Sequence, residues 1–321
     1  MKKMIKILGI IFLVIVIMVV GFIVLALINE SNYYKNTTTE KEIDKKYATM
    51  GELEVLNKEY SANDDKIKKY VVWYPSELKE NKYPIVIWAN GTGSKSDTYK
   101  AFFKHLASWG FIVVGNDDEN TRSGESLNKT IDMLIKENDD KDSIFYQKLD
   151  LDNIGIGGHS QGGPAVFNMV TIQSHKDMIK CVYAASPTSS YHTKIYGENW
   201  IYDLSKVNVP TFMTAGTGVW DAGTATSKEQ VNDDSKGIVQ GITPLWSLEE
   251  NYDLLPNNID KIYARKKNTD HGDSYKQFDG YMTAWFMYYL KDNKEAGEVF
   301  AIDGELSKNS LYQDVKTNIN K

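Results

Sequence analysis

Hydrophobic residues are distributed along this chain in three regimes. From Ile7 to Ile28 they run without a charge, as "ILGIIFLVIVIMVVGFIVLALI". From Asn29 to about Tyr60 they thin into a stretch rich in charge, Asn and Thr. From about Lys69 onward, short continuous runs alternate with longer segments of helical spacing. The runs "YVVWYP", "YPIVIWANG", "FIVVGND", "DNIGIGG", "IKCVYAASP", "PTFMTAG" and "KIYARK" predict strands, several apolar enough to be buried on both faces. The segments "SDTYKAFFKHLASWG", "SLNKTIDMLIKEN", "GPAVFNMVTIQ", "TPLWSLEENYDLL" and "FDGYMTAWFMYYLKD" predict helices. Ser96 or Asp97 can cap the first of these and Gly110 can end it. Pro164 falls in the first turn of the third, where proline is tolerated. This alternation predicts an α/β fold with right-handed crossovers, a mostly parallel central sheet and helices on both faces. Ligand sites in such sheets lie at the carboxyl ends of the strands.

The first regime adds an element of its own. A helix needs about 20 apolar residues to cross the hydrocarbon core of a bilayer, and 7–28 meets that length. The lysines of "MKKMIK" precede it, which places the N-terminus in the cytoplasm and the remainder outside. The expected organisation is a basic stub over 1–6, a transmembrane signal-anchor helix over 7–28, a polar tether over 29–60 and a folded domain over 61–321. That describes a single-pass protein of the cell membrane with an extracellular domain. Val24-Leu25-Ala26 offers a weak cleavage site, so secretion after signal cleavage is the alternative.

Composition narrows the function classes. The 321 residues carry a net charge of -6, and Arg122 and Arg265 are the only arginines, which argues against a nucleic-acid partner. The single cysteine, Cys181, sits in the apolar run "IKCVYAA" and reads as a buried small hydrophobe. There is no phosphate-loop or dinucleotide fingerprint and no His/Cys cluster, so neither a metal nor an organic cofactor is expected. The acidic runs "NDDEN" (116–120) and "NDDKD" (138–142) lack calcium-loop spacing and read as solvated.

Gly158-His159-Ser160-Gln161-Gly162 matches G-x-S-x-G after a predicted strand and before a predicted helix. In that context the serine is carried on a sharp turn that lifts its hydroxyl above the sheet, and small flanking residues let helix and strand approach. The backbone N–H of Gln161 then faces a developing oxyanion. A serine hydroxyl needs a base. Of the five histidines, His105 lies within a predicted helix, His175 follows a helix end, His159 is a neighbour within the turn and His192 is in a loop. His271, in "NTDHGDS" between the last predicted strand and the last long helix, is the candidate base. The orienting carboxylate should follow "VPTFMTAG", where Asp221 is the first candidate and Asp233 and Asp234 are rivals in the same long loop. Asp270 and Asp273 flank His271 and read as turn residues. Thr92, in the small-residue loop after "PIVIWAN", is the candidate second oxyanion donor.

With these residues in view, the chain resembles the α/β-hydrolase superfamily, and within it the bacterial cutinase, polyester-hydrolase and chlorophyllase-like branch. The resemblance runs from about Val71 to Asp314 and rests on "PIVIWANGTGSKSDTYKAFFKHLASWGFIVVGND", "GHSQGG", "DHGD" and the C-terminal "LYQDV". It implies an α/β-hydrolase fold, with Ser160 as nucleophile, His271 as base, Asp221 as acid, and Thr92 and Gln161 as oxyanion donors. It also implies hydrolysis of carboxylic esters, small or lipid-like, through an acyl-enzyme without a cofactor. The same triad serves acyltransferases and peptidases, and a non-catalytic cell-surface binding protein could use the same scaffold. Three features depart from the branch. Thr92 stands where polyester hydrolases often carry an aromatic residue, "SPTSS" replaces another aromatic position, and the terminal disulfide of many secreted members cannot form. They speak against a polyester substrate.

Overall fold

Nine strands form one sheet in the order β1-β2-β4-β3-β5-β6-β7-β8-β9. They are β1 Val55–Ser61, β2 Lys69–Pro75, β3 Tyr83–Ala89, β4 Ile112–Asn116, β5 Leu149–His159, β6 Ile179–Ala185, β7 Thr211–Gly216, β8 Lys261–Lys266 and β9 Tyr312–Thr317. Strands β4, β3, β5, β6, β7 and β8 run parallel, while β1, β2 and β9 pair antiparallel at the two edges. This is a computed structural model, and it describes residues 2–32, 39–192, 200–231, 240–272, 276 and 278–320. The chain divides into two compact units, Met1–Thr38 and Thr39–Lys321.

The continuous apolar runs account for the centre of the sheet. Every residue of β3 is buried, and helices cover both faces of strands with no polar side to offer water. Besides α1 (Lys2–Asn32) in the other unit and short helices over Lys228–Val231 and Lys294–Glu298, the helices are α2 Glu42–Ala48, α3 Lys100–Ser108, α4 Glu125–Asp139, α5 Gly162–Ile172, α6 Val219–Ala222, α7 Leu245–Leu254 and α8 Asp279–Lys291. Phe102, Phe103 and Leu106 of α3 and Tyr281, Trp285 and Phe286 of α8 are buried. The chain reverses its order across the sheet between β3 and β5. It goes from β3 outward to β4 and then back to β5 on the other side of β3. The crevice at such a switch point is where α/β sheets place ligands. The α/β expectation and its mostly parallel sheet agree with this architecture.

Three expectations are corrected. The tether over 29–60 extends too far, because the second unit begins at Thr39. In α2, Tyr47 is fully buried against Trp109, with ring centroids 5.0 Å apart. Glu305 accepts the N–H groups of Ile43 and Asp44 at 2.9 and 3.0 Å, and β1 pairs along β2. The run 116–120 is not solvated at its start: Asn116, Asp117 and Asp118 are buried. Asn90 Nδ2 donates to the carbonyls of Asn116 and Asp118, and Ser96 Oγ donates to Asp117 Oδ1. These polar groups shape the loop after β4 from within.

The third correction concerns the N-terminal unit, which holds α1, Lys2–Asn32. Its described side chains over 9–25 are exposed. Among the described residues no helix is long and apolar enough to cross a membrane. The transmembrane expectation for 7–28 is therefore unsupported by the structure.

Candidate active site

Strand β5 runs into the G-x-S-x-G turn and α5 leaves it. Ser160 has φ of +58°, a left-handed conformation costly for a residue with a Cβ. The turn is held by its neighbours: Ser160 N–H donates to Ala185 O at 3.0 Å, and Ser160 O accepts from the Gly163 and Thr188 N–H groups. The two motif glycines are required by close approach. A Cβ on Gly158 would lie 2.2 Å from Gly162 O, and one on Gly162 would lie 2.3 Å from Ala89 O. Strand, helix and the adjacent β3 thus converge where only backbone fits.

Three separate loops bring side chains to this turn. His271, following β8, places Nε2 3.0 Å from Ser160 Oγ. Its Nδ1 lies 2.7 Å from Asp221 Oδ1, and the Asp221 side chain is fully buried in α6 after β7. The second oxygen, Oδ2, accepts from Ser186 Oγ at 2.7 Å and from Gly216 N–H at 2.6 Å. Both oxygens of this buried carboxylate thus have partners, as a buried polar group requires. Asp233, Asp234 and Asp273 lie outside the described residues.

Asp270 works through backbone groups. Its carboxylate accepts the N–H groups of His271 at 2.8 Å, Asp221 at 3.0 Å and Trp220 at 3.3 Å, which ties the base loop to the first turn of α6. The turn-residue expectation thus understates its work. Ser186 was not anticipated at all; it stands in "SPTSS", and nothing in its sequence surroundings points to a carboxylate 35 positions away.

The loop after β3 faces the turn from the other side. A Cβ built on Gly91 would lie 3.5 Å from Ser160 Cβ, and Thr92 follows at the exposed tip. Gly93 N–H donates to Glu119 O at 3.1 Å, and the buried Gln161 side chain donates to the same oxygen through Nε2 at 2.6 Å. The loop with Thr92 and the turn with Gln161 are therefore braced on one carbonyl.

His105, His175 and His192 have partners of their own. His105 is buried in α3 with Nε2 2.7 Å from Thr49 O, and burial lowers its pKa to about 4. His175 pairs with Asp132 at 2.7 Å, and His192 lies 2.8 Å from Ser189 Oγ. Cys181 is buried in β6, and its burial raises the thiol pKa well above the ordinary range. Among the described residues no group of three or more metal-ligating side chains comes together.

A parallel sheet with a serine on a left-handed turn at its switch point, in reach of a histidine and an aspartate, has the arrangement of an α/β-hydrolase. Comparison with known proteins supports that resemblance. Residues 38–185, somewhat less than half of the chain, match a family model described as Chlorophyllase. Lipase 1 of Moraxella sp. (strain TA144) is 30% identical over 131 residues, covering 39% of this chain and 35% of that protein. The chain thus matches about a third of that relative's length. The family match includes the Gly91–Gly93 loop and the serine turn and ends before Asp221 and His271, so acid and base rest on geometry.

Proposed function

We propose that the protein is a serine hydrolase that cleaves carboxylic esters through an acyl-enzyme. The observation that carries this reading is the continuous hydrogen-bonded line Ser160 Oγ–His271 Nε2 at 3.0 Å and His271 Nδ1–Asp221 Oδ1 at 2.7 Å. The family match and the lipase relative support ester chemistry.

In this reading His271 Nε2 takes the Ser160 proton as Oγ bonds to the ester carbonyl carbon. The resulting imidazolium is stabilised by the buried Asp221 carboxylate. Negative charge developing on the carbonyl oxygen is met by the Thr92 and Gln161 backbone N–H groups. Collapse breaks the bond to the alcohol oxygen, which leaves with the proton from His271. Water then attacks the acyl-enzyme with His271 as base, and the carboxylic acid is released as Ser160 regains its proton. Val219 and Trp220, next to Asp221 in the chain, are 47% and 66% exposed, apolar surface of the kind an acyl chain contacts. The substrate class is accordingly a small-molecule or lipid-like ester.

The test is turnover of p-nitrophenyl acetate and butyrate with identification of the released acid. Ser160→Ala should lower kcat by at least about a thousandfold, since the covalent route is lost while binding contacts remain. Undiminished turnover in that variant would refute the proposal.

A further inference from the structure

His159 enters the sequence argument only as the neighbour of the nucleophile, yet its surroundings set it apart. Its side chain is buried between three loops of the site. Nε2 lies 2.9 Å from the carbonyl oxygen of His271, and Nδ1 lies 3.4 Å from the Tyr99 hydroxyl. That hydroxyl accepts the Gly91 N–H at 2.7 Å. The His159 and His271 rings lie with centroids 4.8 Å apart, tilted by 35°.

The chemistry of the end groups sets the direction of every link. A carbonyl only accepts, so His159 carries its proton on Nε2 and leaves Nδ1 as an acceptor. Nδ1 then accepts a hydrogen bond from the Tyr99 hydroxyl, whose oxygen accepts from the Gly91 N–H. A charged imidazolium would put a donor on Nδ1 against the hydroxyl and break this order. Burial and the adjacent His271 lower the His159 pKa to about 3, which keeps the ring neutral. The space is closed as well. A Cβ on Gly91 would lie 3.0 Å from His159 Nδ1 and 3.2 Å from the Tyr99 hydroxyl.

We propose that Tyr99 and His159 are positioning residues: they form a hydrogen-bonded relay from Gly91 N–H to the His271 carbonyl that locks the oxyanion loop and the base loop onto the serine turn. The inference rests on the roles proposed above for Ser160 and His271. One end of the Thr92 loop is already tied to the turn through the shared Glu119 carbonyl, and the relay ties the other end. The relay reaches the backbone of the base and leaves its ring nitrogens to Ser160 and Asp221. Its loss therefore misplaces His271 Nε2 and the Thr92 N–H together, an effect on the chemical step more than on substrate capture.

The test compares His159→Leu, His159→Gln, Tyr99→Phe and the Tyr99→Phe/His159→Leu double variant on p-nitrophenyl butyrate. Rates are normalised to sites titrated with a fluorophosphonate, and folding is followed by circular dichroism melts. His159→Leu should lower kcat about three- to tenfold, the rate equivalent of one hydrogen bond, with KM little changed. His159→Gln, which can still donate to the His271 carbonyl, should recover most of that loss. Tyr99→Phe should lower kcat as well, and the double variant should be no slower than His159→Leu, because both changes break one relay. A kcat equal to the parent in folded Tyr99→Phe, or losses that multiply in the double variant, overturns the proposal. If His159→Leu does not fold, the kcat of Tyr99→Phe decides it alone. A parent protein without a Ser160 adduct defeats the proposed function itself, whereas a labelled protein with unchanged variant rates defeats only the relay.

Discussion

Asp221→Asn is the substitution whose consequence follows most fully from the structure. The carboxylate faces two ways: Oδ1 meets His271 Nδ1 at 2.7 Å, while Oδ2 receives Ser186 Oγ at 2.7 Å and Gly216 N–H at 2.6 Å. An asparagine of the same shape has one acceptor oxygen and one NH2 group. Turning the NH2 toward Gly216 would oppose two donors in a fully buried place, at a cost of about 1–3 kcal/mol. The Ser186 hydroxyl can rotate to accept, but the Gly216 backbone cannot. The amide oxygen therefore takes that side, and the NH2 faces His271 Nδ1, which must then be unprotonated. The ring proton moves to Nε2, which points at Ser160 Oγ over 3.0 Å and can no longer accept from it. A base held in the wrong tautomer lowers kcat by about 10⁴-fold, or about 5–6 kcal/mol of barrier. The assay is kcat on p-nitrophenyl butyrate per titrated site, with a thermal melt to confirm folding. Asp233→Asn and Asp234→Asn serve as comparisons and should retain the parent rate. An Asp221→Asn rate within about tenfold of the parent would contradict the assigned tautomer and, with it, the role of Asp221.

Two other expectations can be checked in parallel. Ser160 sits at φ +58°, so Ser160→Gly should be more stable to urea than Ser160→Ala by about 1 kcal/mol; equal midpoints would contradict a strained turn. His105 titrates at about 4 in the fold against 6.5 when exposed, so the unfolded chain binds the proton first. Its contribution is present above pH 6.5 and is lost as pH falls toward 4. His105→Gln should therefore show a shallower loss of stability across that window, by up to about 1.4 kcal/mol per pH unit, and an unchanged slope would contradict the shift.

What was legible in the sequence follows a physical division. Elements whose burial is written into their own residues were readable, such as β3 with its continuous apolar run and α5 beginning beside Pro164. The serine turn was readable because its motif is contained in five consecutive residues and a Cβ on Gly158 would strike Gly162 within it, although the clash that demands Gly162 comes from the distant Ala89. His271 and Asp221 were readable only by their order after successive strands. The segments that escaped are those made by distant partners. Helix α2 depends on Glu305, more than 260 positions away, to satisfy its first N–H groups. Its tyrosine is buried under Trp109. The buried start of "NDDEN" depends on Asn90 and Ser96. Ser186, Asp270 and His159 belong to the same class. Each is an ordinary polar residue in its own stretch and acquires a role only when another loop arrives opposite it.

The central claim is that Ser160 is an activated nucleophile. Incubation of the protein with a fluorophosphonate, followed by peptide mapping, tests it most directly. The account predicts one adduct per chain, located on Ser160, abolished by Ser160→Ala and strongly slowed by Asp221→Asn. A chain that turns over esters while Ser160 stays unlabelled, or that carries its adduct on another residue, would contradict it.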